Sequence, residues 1–154
     1  MTDPVVEVER AMIAIRRSQA RRALSKIARP RAADAPEQAV MELLDVVEEY
    51  TDRGEPSTVT TLGTALGVDQ PRASRLVARA VDLGLLKREA DQSDGRRTVL
   101  TPTEAGTASL NKMHAFRQAV FAEAMANWSP ADQQTFARLL TDFITNYTKK
   151  THKS

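Results

Sequence analysis

The 154-residue chain contains no cysteine, which removes disulfides, thiolate nucleophiles, CxxC redox chemistry and thiolate metal sites in one step. Its two histidines, His114 and His152, stand far apart in sequence, so a zinc site built from protein ligands alone is not expected. No run of eighteen apolar residues is present, which excludes a membrane-spanning helix. The opening Met1-Thr2-Asp3-Pro4 lacks the basic-then-apolar pattern of a secretory signal. These absences lead us to expect a cytoplasmic protein. With 42% hydrophobic and 27% charged residues, the chain can form one soluble domain, or two small lobes sharing a core.

A net charge of +2 conceals a segregation of sign. Residues 10–31 hold eight Arg or Lys and no acid, and residues 34–55 hold eight acids against the single Arg53. Residues 70–97 hold seven bases against four acids. The first two blocks can neutralise each other on a solvated surface, whereas the third points to an anionic partner.

Pro30, Pro36, Gly54 to Pro56, Gly67 to Pro71, Gly84, Asp94-Gly95, Pro102 and Ser129-Pro130 punctuate the chain. Val5, Val8, Met12 and Ile15, then Leu24 and Ile27, recur at helical spacing, as do Val40, Leu43, Leu44 and Val47 within Pro36–Tyr50. Thr101-Pro102-Thr103-Glu104 predicts a helix start with Thr101 as cap, Pro102 in first position and Glu104 in third. Its stripe of Leu110, Met113, Val120, Phe121, Ala124, Met125 and Trp128 would run for about seven turns. Ser129-Pro130-Ala131-Asp132 repeats the cap logic ahead of Phe136, Leu139, Leu140, Phe143, Ile144 and Tyr147. Such narrow stripes on terminal helices fit contact with a second subunit; packing back onto the centre of the chain is the alternative. His114 reads as a surface or packing residue and His152 as part of a frayed tail.

The centre carries the most constrained pattern. Leu62, Leu66, Val68, Ala73 and Leu76 occupy the inward positions of a helix-turn-helix; Gly67 supplies a left-handed turn, and Gly63 permits close approach of the helices. Asp69 is expected to cap the second helix, with Pro71 in its first turn. On that helix Ala73, Leu76, Val77 and Ala80 turn inward, leaving Arg72, Arg75 and Arg79 as an outward stripe bordered by Ser74, with Gln70 at the start. These side chains can hydrogen-bond guanine, adenine and phosphate, and they lie on the face that a helix-turn-helix presents to the major groove. Thr60, which opens the motif, joins this DNA-binding set. Leu85–Glu89 and Thr98–Leu100 read as strands of a hairpin, with Asp94-Gly95 favouring a tight turn. Arg96 or Arg97 at its tip suits the minor groove. Asp94 is expected to hold an arginine in an extended rotamer through a charge-assisted hydrogen bond.

In these pieces the chain resembles the MarR family of winged-helix transcriptional regulators. The resemblance rests on Thr60 to Val68, Ser74 to Val77, Asp82 to Leu86, Asp91 to Arg97 and Leu100 to Gly106. It implies a mostly α fold: a winged helix-turn-helix with long terminal helices forming a dimerisation lobe. Residues 1–34 would be the N-terminal dimerisation helix, 35–101 the DNA-binding lobe and 102–154 the C-terminal dimerisation helices. The resemblance further implies a triangular homodimer on a pseudo-palindromic operator, most simply a repressor. Ser74 and Arg75 match the family's Ser-Arg pair, and Asp94 with Arg96 its wing Asp-x-Arg; Gln92 stands where the family commonly has proline. Release by a small anionic or phenolic ligand is also implied, with Arg16 or Arg17 as the anchor. In the competing reading Arg10, Arg17 and Arg21 neutralise the acidic second helix or the DNA backbone.

Two other readings share these residues. A winged helix can serve as a protein interaction module, and a basic helix and wing can also belong to a non-specific architectural DNA-binding protein. Enzymatic activity is not expected. Glu48 with Glu49, or Asp91 with Asp94, could do acid–base work, but no nucleophile, glycine-rich phosphate loop or metal cluster accompanies them. No cofactor is expected.

Overall fold

The computed structural model describes residues 1–27 and 34–152, with side chains described for 1–20 and 38–152. Its elements are α1 (Pro4–Ile27), α2 (Asp34–Asp52), α3 (Val59–Leu66), α4 (Gln70–Asp82), β1 (Leu86–Ala90), β2 (Thr98–Pro102), α5 (Glu104–Ala124) and α6 (Pro130–Thr151). The break expected at Pro30 and the side chains of Arg21, Leu24, Ile27 and Pro36 lie outside the described residues. The helix expected from Pro36 begins earlier, at Asp34, as proline is tolerated in a first turn. No helix among the described residues is long and apolar enough to cross a membrane.

The chain divides into two compact units, Met1–Leu110 and Asn111–Ser154. The core of the first is built from Val40, Leu43, Leu44 and Val47 of α2, Leu62 of α3, and Ala73, Val77 and Ala80 of α4. Leu86, Leu100 and Leu110 complete it. The inward positions expected at Leu66, Val68 and Leu76 are half-buried rather than buried.

Local chemistry fixes the helix-turn-helix. Thr58 caps α3 by accepting the Thr61 amide at 3.1 Å, and Thr61 Oγ1 accepts the Thr58 amide at 2.9 Å, so two orphan donors are satisfied reciprocally. Gly67 ends α3 with φ 67°, a conformation that costs glycine nothing. A Cβ on Gly63 would lie 3.0 Å from that of Ala73, which explains the small residue where α3 meets α4. Asp69 then accepts the Arg72 amide at 2.9 Å and starts α4.

The wing is an antiparallel pair running from Leu86↔Pro102 to Ala90↔Thr98. Leu100 N–H also donates to the carbonyl of buried Ser57 at 2.8 Å, so β2 is anchored to the segment that precedes α3. Relative to the sequence reading, β1 starts and ends one residue later, and β2 continues through Pro102. Consequently Thr103, and not Thr101, stands before α5: its Oγ1 accepts the Gly106 amide at 3.0 Å and its carbonyl accepts the Thr107 amide at 2.9 Å. Thr101 and Pro102 are retained by the strand because each has a cross-strand partner, Lys87 and Leu86. The Asp94-Gly95 dipeptide does not form a tight hairpin either. It lies in a loop spanning Asp91–Arg97, where Arg97 N–H closes a turn onto Asp94 O at 3.0 Å and Gly95 has no positive φ.

In the second unit the stripe expected to run to Trp128 leaves the helix after Ala124. The chain turns there, with Gln133 Nε2 donating to the carbonyls of Met125 and Trp128 at 3.2 and 3.3 Å. Ser129 caps α6 by accepting the Asp132 amide at 3.1 Å, as expected. Trp128 and Phe136 meet edge to face at 5.1 Å, and Phe143 stacks on Tyr147 at 6.1 Å. His152, expected in a frayed tail, closes the last turn of α6 by donating its amide to Thr148 O. His114 is half-buried on α5.

Candidate nucleic-acid interface

The basic residues singled out from the sequence are placed by two devices, a helix start and a hairpin loop. With Asp69 fixing the start of α4, a step of about 100° per residue sets every later side chain. Ala73, Val77 and Ala80 are buried, and Arg72, Arg75 and Arg79 fall within an arc of about 60° on the exposed side. Among the described residues no carboxylate pairs with any of these three guanidinium groups. Exposed cations held in a row by a rigid rod present their field to an incoming polyanion.

Ser74 and Gln70 are exposed as well, but helical phase sets them apart from the arginine stripe, with Pro71 and Ala78 between. Ser74 therefore does not border the arginines, as the sequence reading had it; α4 offers two polar strips. Gln70 is joined to Thr60 on α3, whose hydroxyl donates to Gln70 Oε1 at 3.5 Å.

The wing differs in one respect from what the sequence suggests. Asp94 does not hold an arginine side chain: its Oδ1 accepts the backbone amide of Arg96 at 3.1 Å, an Asx-type turn. Asp91 does so instead. Arg97 Nε and Nη2 donate to Asp91 Oδ2 at 2.9 and 2.6 Å, while Oδ1 accepts the amide and hydroxyl of Ser93 at 3.0 and 2.9 Å. Asp91 N–H donates to Arg97 O at 2.8 Å, so the same two residues close the loop through backbone and side chain. From the sequence Asp91 stands out only as one of a pair of acids with Asp94. The Asp-x-Ser spacing is a local signal for its backbone role, but nothing local announces its pairing with Arg97. Arg96 is exposed, and no carboxylate among the described residues pairs with it.

The Arg97 guanidinium, and then the Ser93 amide and hydroxyl, hold the Asp91 carboxyl at about 2, below its ordinary 3.8. A carboxyl whose pKa falls on folding contributes stability above its unfolded value and loses it as pH drops through the folded one. The pair is therefore intact at neutral pH and weakens below pH 3.8 toward 2. The Asp91 side-chain carbonyl resonance in the folded chain is expected to titrate near pH 2; a midpoint near 3.8 would mean that no pair forms.

Arg16 and Arg17 are exposed on α1. A cleft of about 430 Å³ in the first unit lies elsewhere, between the Gly54–Ser57 segment and the wing loop.

A search of curated proteins finds no match. Residues 49–97, from the end of α2 through the wing loop, match the model of the MarR family. Among solved structures, the chain is similar to a MarR family protein from Bacillus stearothermophilus, with 21% identity and a TM-score of 0.66 over 94% of this chain and 95% of that one. It is also similar to RV1404 from Mycobacterium tuberculosis, with 22% identity and a TM-score of 0.61 over 96% and 97% of the two chains. A mutant MarR from E. coli aligns with 19% identity and a TM-score of 0.57 over 94% and 98%. At these identities the likeness is one of fold. The helix-turn-helix and wing segment matches the MarR family model in sequence, and along almost its whole length the chain has the winged helix-turn-helix fold of MarR family structures.

Proposed function

We propose that the protein acts as a homodimer that binds a pseudo-palindromic duplex site and represses transcription from it. The observation that carries this reading is the row of arginines on α4, Arg72, Arg75 and Arg79, accompanied by Arg96 on the wing, all exposed and without a carboxylate partner among the described residues. In this reading residues 35–101 form the DNA-binding lobe. Gln70, Ser74 and Arg75 address base edges, Thr60, Arg72 and Arg79 address phosphates, and the wing loop from Asp94 to Arg97 approaches the minor groove.

Residues 1–34 and 102–154 supply the dimer contact. Support comes from the apolar stripes they leave exposed: Val5, Val8, Met12 and Ile15 on α1, and Phe136, Leu139, Leu140, Phe143, Ile144 and Tyr147 on α6. Large apolar surfaces of this kind are rare on monomers, and a second copy would bury them by two-fold symmetry. Arg16 and Arg17 are the residues this reading assigns to a small anionic or phenolic ligand that releases the DNA.

Selection of bound fragments from a random duplex library is the test. Recovered sites should be two inverted half-sites about one helical turn apart, and affinity for them should fall with salt at a slope of about −0.9 per phosphate contacted. Recovery of random sequence would leave an architectural DNA-binding protein, and no recovery at moderate salt an interaction module.

A further inference from the structure

The two arginines of the wing are not equivalent. Arg96 is exposed and unpaired among the described residues, whereas Arg97 donates Nε and Nη2 to Asp91 Oδ2 and accepts the Asp91 amide on its carbonyl oxygen. The Asp91 side chain is only 11% exposed, and both its oxygens are occupied. On the side toward Gly54–Ser57 the loop borders a cleft of about 430 Å³, so there it is braced from within rather than by packing. A charge-assisted pair of this kind, with two donors converging on one carboxylate oxygen, fixes geometry more firmly than a single neutral bond. Withdrawing the Arg97 side chain from Asp91 to reach a phosphate would cost the pair and leave the loop to its backbone bonds and the turns at Ser93 and Arg96.

We infer that Asp91 is a positioning residue for DNA recognition: it engages Arg97 as a strut within the wing and thereby leaves Arg96 to make the wing's ionic contact with the duplex. This rests on the proposed reading of the protein as a DNA-binding regulator. It separates two residues that the sequence places side by side, and it assigns part of the recognition machinery to an acid that itself repels DNA.

The test is equilibrium binding of the full chain to its selected duplex across a salt series, with the variants Arg96→Gln, Arg97→Gln, Asp91→Asn and the double variant Asp91→Asn/Arg97→Gln. R96Q is expected to reduce the magnitude of the salt slope by about 0.9, while R97Q and D91N leave the slope unchanged and each weaken binding on the order of 3- to 10-fold. The double variant should lose no more than the larger single loss, because the two residues act as one unit. Amide exchange at Ser93, Arg96 and Arg97 of the free chain should rise in D91N while α4 stays protected, which places the effect in the wing and not in global stability. A slope that falls in R97Q as it does in R96Q would overturn the inference alone, as would D91N binding like the parent chain. A parent chain that binds no duplex would overturn the underlying reading and the inference with it.

Discussion

Replacing Gly106 by alanine is expected to destabilise the first compact unit by at least about 3 kcal/mol. A Cβ at this position would lie 2.1 Å from the carbonyl oxygen of Leu85 and 3.0 Å from its carbonyl carbon. These are backbone atoms, so no rotamer change can relieve the clash. The neighbourhood has little freedom to move: Thr103 N–H donates to the same Leu85 oxygen at 3.1 Å, and Thr103 Oγ1 bridges the Gly84 carbonyl and the Gly106 amide. The start of α5 is thus riveted to the chain that enters the wing. Gly54→Ala is the control, with φ +69° but nothing within 4 Å of the added carbon; its cost should be of the order of 1 kcal/mol, from backbone strain alone. Urea unfolding of the two variants decides the matter, and a Gly106→Ala midpoint indistinguishable from that of the parent would contradict this account of the junction.

Affinity for duplex DNA should fall on the order of 1000-fold or more when Arg72, Arg75 and Arg79 are all replaced by alanine. Each guanidinium is exposed and without a carboxylate partner among the described residues, so little of the loss can arise from unfolding. The individual replacements carry the information. Arg75→Ala is expected to cost about 1 to 3 kcal/mol and to relax preference at one base pair, while Arg72→Ala and Arg79→Ala should weaken all sequences alike and each lower the salt slope by about one unit. Fluorescence anisotropy on matched and scrambled duplexes separates these outcomes. Equal loss on every sequence for Arg75→Ala would move that residue to the phosphates, and no loss for the triple variant would remove α4 from the interface.

What could be read from sequence was local. The caps at Asp69 and Ser129 and the left-handed turn at Gly67 depend on a side chain or a backbone preference acting within three residues, and each forms as expected. The stripe of α2 was equally legible, since Val40, Leu43, Leu44 and Val47 are all buried. Errors arose where two local solutions compete and a distant contact chooses. Thr-Pro-Thr-Glu offers a cap at either threonine, and pairing of Pro102 with Leu86 and of Thr103 with Gly84 and Leu85 selects the second. Asp91 and Asp94 both stand within reach of arginine in sequence; the path of the loop gives the side-chain pairing to Asp91 and leaves Asp94 with backbone. The half-burial of Leu66, Val68 and Leu76 likewise depends on neighbours that periodicity does not supply.

The strict partition of α4 has an evolutionary consequence. Ala73, Val77 and Ala80 hold the helix in the core, while Arg72, Ser74, Arg75 and Arg79 project into solvent. Exchange of an outward residue should alter folding free energy by no more than about 0.5 kcal/mol in either direction. Preference for one target over another can therefore drift, or be re-engineered, without eroding the scaffold that displays it.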